Sequence, residues 1–169
     1  MAFYSKQDIE NELSQVNVSS WTYGPMPVED WPVDGPLQPP LIEVNTTHRG
    51  EIAERFGRYF KNERHFDFAP YNVGDQSDAR RIYLIGSRQF LTLMPIAVGA
   101  VEVRKVKDFN VLQWVWLHPM ERGTRRWATV WDALIQEHGE LMVSQPVSPP
   151  MKAFLKKMDL LDKRIFVSS

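Results

Sequence analysis

Residues 111–138 constrain the fold of this chain more than any other segment. A short apolar stretch over 111–117 leads into His118 and Pro119, and a turn with three arginines follows. Beyond the turn, apolar residues recur at positions i, i+3, i+4, i+7 and i+8, which is the spacing of one buried helix face. These residues are Trp127, Val130, Trp131, Leu134 and Ile135. The segment therefore predicts a strand over 111–117 and a helix over about 123–138.

The turn between them has the composition of an anion-binding site. Arg122, Arg125 and Arg126 lie where the helix dipole disfavours cations unless an anion is bound. Free backbone N–H groups at a helix N-terminus also suit phosphate or pyrophosphate. We therefore expect an anion site at this turn. The alternative is a solvated basic turn in which Arg126 pairs with Glu121 or Asp132.

Composition limits the classes of function. The net charge is −1, so no overall field attracts nucleic acid or a membrane surface. The chain has no cysteine, which excludes disulfides, thiolate metal ligands and a cysteine nucleophile. No run of about 18 apolar residues is present, and the first residues are too polar for a signal peptide. We expect a cytoplasmic protein that binds neither membrane nor nucleic acid.

The chain divides into an N-terminal segment, 1–40, and a domain, 41–169. Residues 6–16 predict a short amphipathic helix. Residues 21–40 hold half of the twelve prolines, interleaved with aromatic residues, which excludes both a helix and a central strand. We expect this stretch to be extended and anchored to the domain through Trp21 and Trp31. A recognition arm for a partner is the alternative.

Within the domain, helical and strand patterns alternate. The predicted order is a helix over about 48–62, strands over 81–85, 90–94, 96–106 and 111–117, the helix over 123–138, a strand over 141–143, a helix that begins at Ser148, and a strand over 164–167. The last helix has a predicted buried stripe of Met151, Phe154, Leu155 and Met158. This order indicates a mixed α/β, layered domain.

From residue 41 onward, this pattern resembles the GNAT acyltransferase superfamily. In that family the central strand ends in a proline, and a turn of the form Arg-Gly-x-Gly-x-Gly opens the main helix. Pro119, Arg122 and Gly123 occupy the matching positions here. The resemblance implies a central, mostly antiparallel sheet flanked by helices. It also implies acetyl-CoA or another acyl-CoA as co-substrate, with an amine of a small molecule or protein as the acceptor.

The resemblance also implies which residues hold the cofactor. Backbone amides of the turn would bind the pyrophosphate, and strand amides near Val115 and Leu117 would polarise the acyl carbonyl. The turn residues are Arg122, Gly123, Thr124, Arg125, Arg126 and Trp127. No metal is implied.

Three residues are candidates for the chemistry. Glu102, on the charged face of its strand, is the best carboxylate for a general base that acts through water. The alternative is a solvated strand face that it shares with Arg104. Gln113 is a polar residue in an apolar strand and could bind the amine or a water, or it could be an ordinary strand amide. Ser144 could donate a proton near the leaving group.

Two departures from the family pattern support a second function. Arg125 and Trp127 stand where the family has glycines, and Phe154 lies in the region where many members have a catalytic tyrosine. The alternative to an acyl-CoA-dependent N-acyltransferase is therefore a non-catalytic, GNAT-like module that binds a protein partner.

A third hypothesis is an iron enzyme. His65, Asp67 and His118 have the spacing of a two-histidine, one-carboxylate site. Arg125 or Arg126 would then bind an oxoacid. That chemistry usually occurs in a double-stranded β-helix, whereas long helical patterns follow His118 here.

Overall fold

One mixed β-sheet organises the part of the chain that the computed structural model describes, residues 26–28, 40–75, 77–86 and 96–167. Its strands are β1 (Met26–Pro27), β2 (Leu41–Glu43), β3 (Arg80–Gly86), β4 (Ile96–Val106), β5 (Phe109–Leu117), β6 (Leu141–Ser144) and β7 (Ile165–Phe166). Six of them lie side by side in the order β2-β3-β4-β5-β6-β7, and β1 pairs with β4. Neighbouring strands from β2 to β5 are antiparallel, whereas β6 is parallel to β5 and β7 is parallel to β6. The mixed, mostly antiparallel sheet confirms the predicted fold class.

Three helices cover the sheet, and each has a local signal at its boundary. They are α1 (Thr47–Arg64), α2 (Arg126–His138) and α3 (Pro149–Lys157). Thr46 caps α1 by accepting from the amide of Arg49 at 3.3 Å, and Ser148 caps α3 in the same way. Gly139, with φ of 75°, ends α2. A 3₁₀ turn, Pro119–Glu121, precedes α2, which therefore begins three residues later than predicted.

The two faces of the sheet carry separate hydrophobic clusters. On β3, Tyr83 and Ile85 face one cluster, and Ile82 and Leu84 face the other, as strand alternation requires. The first cluster packs against α2 and α3 through Val130, Trp131, Leu134, Met151 and Leu155. The second packs against α1 through Ile52, Ala53 and Phe56. The sheet is therefore the middle layer of three.

The predicted buried stripe of α3 is wrong at one position. Met151 and Leu155 are buried, and Phe154 packs partly buried against them. Met158 is 44% exposed because α3 ends at Lys157 and this methionine is its C-terminal cap.

Part of the proline-rich segment joins the domain. Met26 and Pro27 pair with Ala97 and Ile96 of β4, and Val28 is buried. The predicted helix over 6–16, the strand over 90–94, and Trp21 and Trp31 lie outside the described residues. Across the described ranges, no helix is both long and apolar enough to cross a lipid bilayer.

Candidate functional site

β5 and β6 separate halfway along β5. Their parallel pairing runs only from Asn110 to Leu112 on β5, against Leu141–Val143 on β6, although β5 continues to Leu117. The separation coincides with a β-bulge: Val103 faces Leu112, the preceding residue Glu102 faces Trp114, and Gln113 is the extra residue. Bulges of this kind bend a strand and end its pairing. The result is an open edge of β5 within the sheet.

A cavity of about 330 Å³ lies at this separation. Leu112, Val143 and Met151 in its wall belong to the cluster under α2 and α3. Trp114 and Phe60, also in the wall, belong to the cluster under α1. The lining of the cavity therefore comes from both layers, at the gap between β5 and β6.

The open edge of β5 presents backbone donors to this gap. The amide of His118 donates to the carbonyl of Val98 on β4 at 2.7 Å, and the direction of strand hydrogen bonds alternates along the chain. The backbone groups of Leu117 and Val115 therefore point away from β4. The Leu117 carbonyl points away from β4, because it accepts a hydrogen bond from Arg122 Nε at 2.7 Å. The N–H groups of Val115 and Leu117 therefore face the gap.

The turn after β5 exposes three more amides. Gly123 adopts φ of 76°, and it, Thr124 and Arg125 are exposed. The hydroxyl of Thr124 donates to the Glu121 carbonyl at 2.7 Å and accepts from the Arg126 amide at 3.2 Å, so it caps α2. Within the described residues, the amides of Gly123, Thr124 and Arg125 donate to no other protein group, and the Arg125 side chain has no ion pair. These donors are open to a ligand from solvent.

Arg122, a predicted anion ligand, is instead bound to the protein. Its guanidinium donates to both carboxylate oxygens of Glu63 at 2.6 and 2.7 Å, and its Nε donates to Leu117. Trp116 completes the group by donating to Glu63 at 2.8 Å, and Arg122 lies over its ring. The hydrogen bond from Arg122 lowers the pKa of Glu63. All three guanidinium nitrogens of Arg122 are thus occupied in fixing the turn to the end of α1.

Arg126 also differs from the sequence prediction, whereas the Trp127 side chain lies in the predicted apolar stripe. Arg126 is buried and donates to the Gly86 carbonyl at the end of β3, so it is neither a surface ion-pair partner nor a cation open to solvent. The Trp127 ring packs edge-on against Trp131 and Phe154, at 6.2 and 6.1 Å. This places the ring in the α2–α3 layer, because Trp127 follows the apolar stripe of α2.

Glu102 is completely buried, so the alternative of a solvated strand face is wrong. Its carboxylate accepts two hydrogen bonds from Arg80 at 2.9 Å and two from Arg104 at 2.9 and 3.1 Å. A fifth comes from the indole of Trp114 at 2.8 Å. Five donors thus occupy the acceptor positions of the two carboxylate oxygens. The carboxylate therefore neutralises two guanidinium groups and fixes Trp114, a wall of the cavity.

The other two candidate catalytic residues line the cavity directly. Gln113 is the bulged residue of β5, and Ser144 ends β6 on the opposite side of the gap. The Ser144 hydroxyl has a long contact of 3.4 Å with the carbonyl of Gln145. A weak contact of this length leaves the hydroxyl able to turn toward a ligand.

Sequence reasoning missed the contribution of α1. Phe60, Arg64 and Phe66 form one end of the cavity, and Glu63 holds the turn through Arg122. The helical pattern suggested an end near residue 62, whereas α1 continues to Arg64 and ends where His65 adopts φ of 56°. Lys61 and Arg64 in the last turn were the available signal for this longer helix.

The iron-site hypothesis finds no support. His65 and Asp67 are exposed beyond α1, and His118 is buried with its ring edge-on to Trp116. Among the residues that the structure describes, no three histidine or carboxylate side chains are close enough to hold a metal ion.

No protein family and no curated protein matches the sequence. Solved structures do match in shape. The acetyltransferase domain of xEco2, solved with a K105–CoA conjugate, has a TM-score of 0.58 and 15% identity, over 76% of this chain and 93% of its own. The E. coli N-acetyltransferase YhhK, solved with coenzyme A, has a TM-score of 0.49 and 10% identity, over 70% and 87% of the two chains. The protein has a GNAT-like fold.

Proposed function

We propose that this protein is an acyl-CoA-dependent N-acyltransferase. One observation carries the proposal: a cavity lined from both layers lies where β5 and β6 separate, beside exposed turn amides that donate to no group in the described part of the chain. Two substrates can meet in such a cavity from opposite faces of the sheet. The CoA conjugate bound by the xEco2 acetyltransferase domain, which has a similar shape, supports the assignment of a CoA-type co-substrate.

The exposed turn supplies the site for the pyrophosphate of the cofactor. Three amides at the start of α2 and the guanidinium of Arg125 can all donate to phosphate oxygens. The amides belong to Gly123, Thr124 and Arg125. Arg122 and Arg126 contribute by holding the turn in place rather than by binding the anion. The pantetheine arm would then run along the open edge of β5, toward the cavity.

The reaction proposed is direct attack of an amine on the thioester. The nitrogen lone pair forms a bond to the acyl carbon, and the bond between that carbon and sulfur breaks. Charge that develops on the carbonyl oxygen is stabilised by the N–H groups of Val115 and Leu117. The proton of the amine passes to water, and the CoA thiolate leaves and takes a proton from solvent, directly or relayed through the Ser144 hydroxyl. Gln113 orients the amine.

Glu102 is not needed as the base in this scheme. A thiolate is a good leaving group, so attack by the neutral amine with proton transfer to water is sufficient. The five hydrogen bonds to Glu102 suit a positioning residue that acts through Trp114. The role of Glu102 as a general base stays a prediction.

The function is tested by calorimetric titration with acetyl-CoA. We expect saturable binding by the wild-type protein, weakened about tenfold in Arg125→Ala, since a hydrogen bond to a charged group contributes about 1.5–3 kcal/mol before solvent screening. The loss should shrink at high salt. Lys107→Ala is the matched control, because this exposed lysine lies in the β4–β5 turn, at the other end of β5. No binding at millimolar acetyl-CoA would overturn the proposal.

A protein-binding module is the second candidate. The observation that favours it is the absence of a catalytic tyrosine, because Phe154 in α3 packs against Trp127 and Trp131. Acetyl-CoA binding without turnover of any amine would support this candidate over the enzyme.

A further inference from the structure

One end of the cavity has a charge pattern that restricts the acceptor. Phe60, Arg64 and Phe66, at the end of α1, form this wall, and Gln113 and Trp114 of β5 continue it. Of the described residues that line the cavity, Arg64 alone carries a charge. The acceptor would therefore meet a cation and no carboxylate.

Within the described part of the chain, the charge of Arg64 acts on the nearby carboxylate of Glu63 but is held by no direct contact. Its guanidinium forms no hydrogen bond and no ion pair there. The nearest carboxylate in sequence, Glu63, is occupied by both terminal nitrogens of Arg122 and by the indole of Trp116. An anionic group on a ligand would supply the partner that Glu63 does not, and guanidinium groups bind carboxylates in bidentate fashion.

Aromatic rings flank this cation. Phe60 lies 5.5 Å from Phe66 and 5.8 Å from Trp114 between ring centroids, so the three rings form one continuous surface. Phe66 is 42% exposed, although burial would be favourable for a ring of its size. A flat apolar group on a ligand would pack on these rings in an offset or edge-on arrangement.

We propose that the acceptor is a small aromatic amine that also carries a carboxylate, such as an aromatic amino acid. This proposal rests on the acyltransferase function proposed above. The carboxylate pairs with Arg64, the ring packs on Phe60 and Phe66, and the amine extends toward Gln113 at the gap. A cavity of about 330 Å³ is at the small end of the range for ligand sites. A lysine side chain of a protein is disfavoured, because its ammonium group would approach Arg64 with no carboxylate to hold it.

The test compares pairs of acceptors that differ only in the carboxylate. L-phenylalanine is compared with L-phenylalaninamide, and L-tryptophan with L-tryptophanamide, by release of the CoA thiol from acetyl-CoA. We expect kcat/KM to be at least about tenfold higher for the acids, in line with a hydrogen-bonded charge pair. The amides have the larger neutral fraction of amine at pH 7, so intrinsic reactivity alone would give the opposite order.

Substitution of Arg64 identifies the group responsible. Arg64→Gln should raise KM for the acids about 10-fold to 100-fold, leave kcat and acetyl-CoA affinity nearly unchanged, and abolish the preference for acids over amides. The matched control is Arg58→Gln, because Arg58 is an exposed arginine of the same helix that does not line the cavity. The control should behave as the wild type.

Failure of this proposal can be separated from failure of the proposed function. If acetyl-CoA binds but the amides or a lysine peptide are acetylated as well as the acids, only the acceptor proposal is overturned. If acetyl-CoA binds and no acid is acetylated, the acceptor proposal is overturned as well. If acetyl-CoA does not bind, direct calorimetry of L-phenylalanine with wild type and Arg64→Gln still decides whether the carboxylate subsite exists.

Discussion

Two polar regions of this protein differ sharply in whether their donors and acceptors are hydrogen-bonded to other protein groups. The carboxylate of Glu102 is fully buried and accepts five hydrogen bonds from Arg80, Arg104 and Trp114. The turn at residues 123–125 is exposed, and within the described residues its amides donate to no protein group. Both looked like functional residues in the sequence. The difference separates groups that hold the fold from groups that are free to bind a ligand.

The same difference separates arginines that lie close together. Arg122 uses all three guanidinium nitrogens on Glu63 and Leu117, whereas Arg125 has no ion pair in the described part of the chain. Polar groups in folded proteins are stabilised by hydrogen bonds. A side chain whose hydrogen-bonding groups are all used by other protein groups therefore has a structural role. Substitutions can test the distinction because the two kinds of residue should affect different measurements.

The largest effect is expected at Glu102. Glu102→Gln removes the charge that neutralises Arg80, whose side chain is only 14% exposed, and Arg104. Breaking one partner of a buried ion pair costs about 3 kcal/mol, which lowers the Tm of a chain of this length by about 6–12 °C. Urea or thermal unfolding measures the change. The affinity for acetyl-CoA should be unaffected.

A control variant and the hypothesis that Glu102 is the general base can be tested with the same measurements. Glu51→Gln, at an exposed position of α1, should change stability by less than about 0.5 kcal/mol. If Glu102 were the general base, Glu102→Gln would lower kcat by about 10²–10⁴-fold. Normal stability together with such a loss of kcat would contradict the structural assignment.

The sequence predicted most elements of the fold but not this cluster. Alternation in 96–106 and the helical stripe over 127–135 set the strand and helix that frame the site, because local periodicity reports which face is buried. Burial of Glu102 depends on Arg80, 22 residues away, and on Trp114 in the next strand. The register of the strands brings these three side chains together, and the bulge at Gln113 shifts that register. No local pattern encodes it.

Arg122 and Arg125 provide the second test. Arg122→Ala should destabilise the protein by about 1–2 kcal/mol, because it removes a bidentate ion pair and a hydrogen bond to the Leu117 carbonyl. Arg125→Ala should leave stability within about 0.5 kcal/mol and weaken acetyl-CoA binding instead. Parallel unfolding and calorimetric measurements on both variants check this. Equal effects of the two substitutions on both quantities would remove the distinction between them.

The third test uses a backbone constraint. Gly123 has φ of 76°, and a Cβ at this position would contact nothing, so Gly123→Ala should cost about 1 kcal/mol through backbone strain alone. Relief of that strain would turn the amides of the turn and weaken acetyl-CoA binding. Gly74→Ala is the matched control, since Gly74 has φ of 99°, equal space, and no link to the turn. The control should lose similar stability but no affinity.

The candidate site was predictable only where backbone alone forms it. The exposed amides of the turn follow from a strand that runs into a helix, which the sequence indicates clearly, and the roles of Val115 and Leu117 stay a prediction. The roles of the arginine side chains depend on Glu63 and Gly86, which come from distant elements. The three arginines at this helix N-terminus therefore looked equivalent in the sequence. In the fold, Arg122 binds Glu63, Arg126 donates to the Gly86 carbonyl, and Arg125 is exposed.

The smallest effect expected is the pH dependence of the ion pair between Glu63 and Arg122. The hydrogen bond from Arg122 lowers the pKa of Glu63 below its usual 4.5, outweighing partial burial, which raises it. A carboxylate with a depressed pKa stabilises the fold above its unfolded pKa, and this contribution is lost as pH falls through the folded value. Both side chains are partly exposed, so the contribution should be below about 1 kcal/mol.

Urea unfolding of wild type and Glu63→Gln from pH 7 to pH 3 measures this contribution. The stability difference between them should be constant near neutral pH and shrink below about pH 4.5, as the wild-type carboxylate becomes protonated. High salt should reduce the difference at pH 7 because the pair is solvent-accessible. In the Arg122→Ala background the pH dependence of the difference should shrink, since the largest cause of the lowered pKa is gone and only the Trp116 hydrogen bond and the charge of Arg64 remain. A difference that stays the same at pH 3 and pH 7 would show that Glu63 fixes the turn by shape and not by charge.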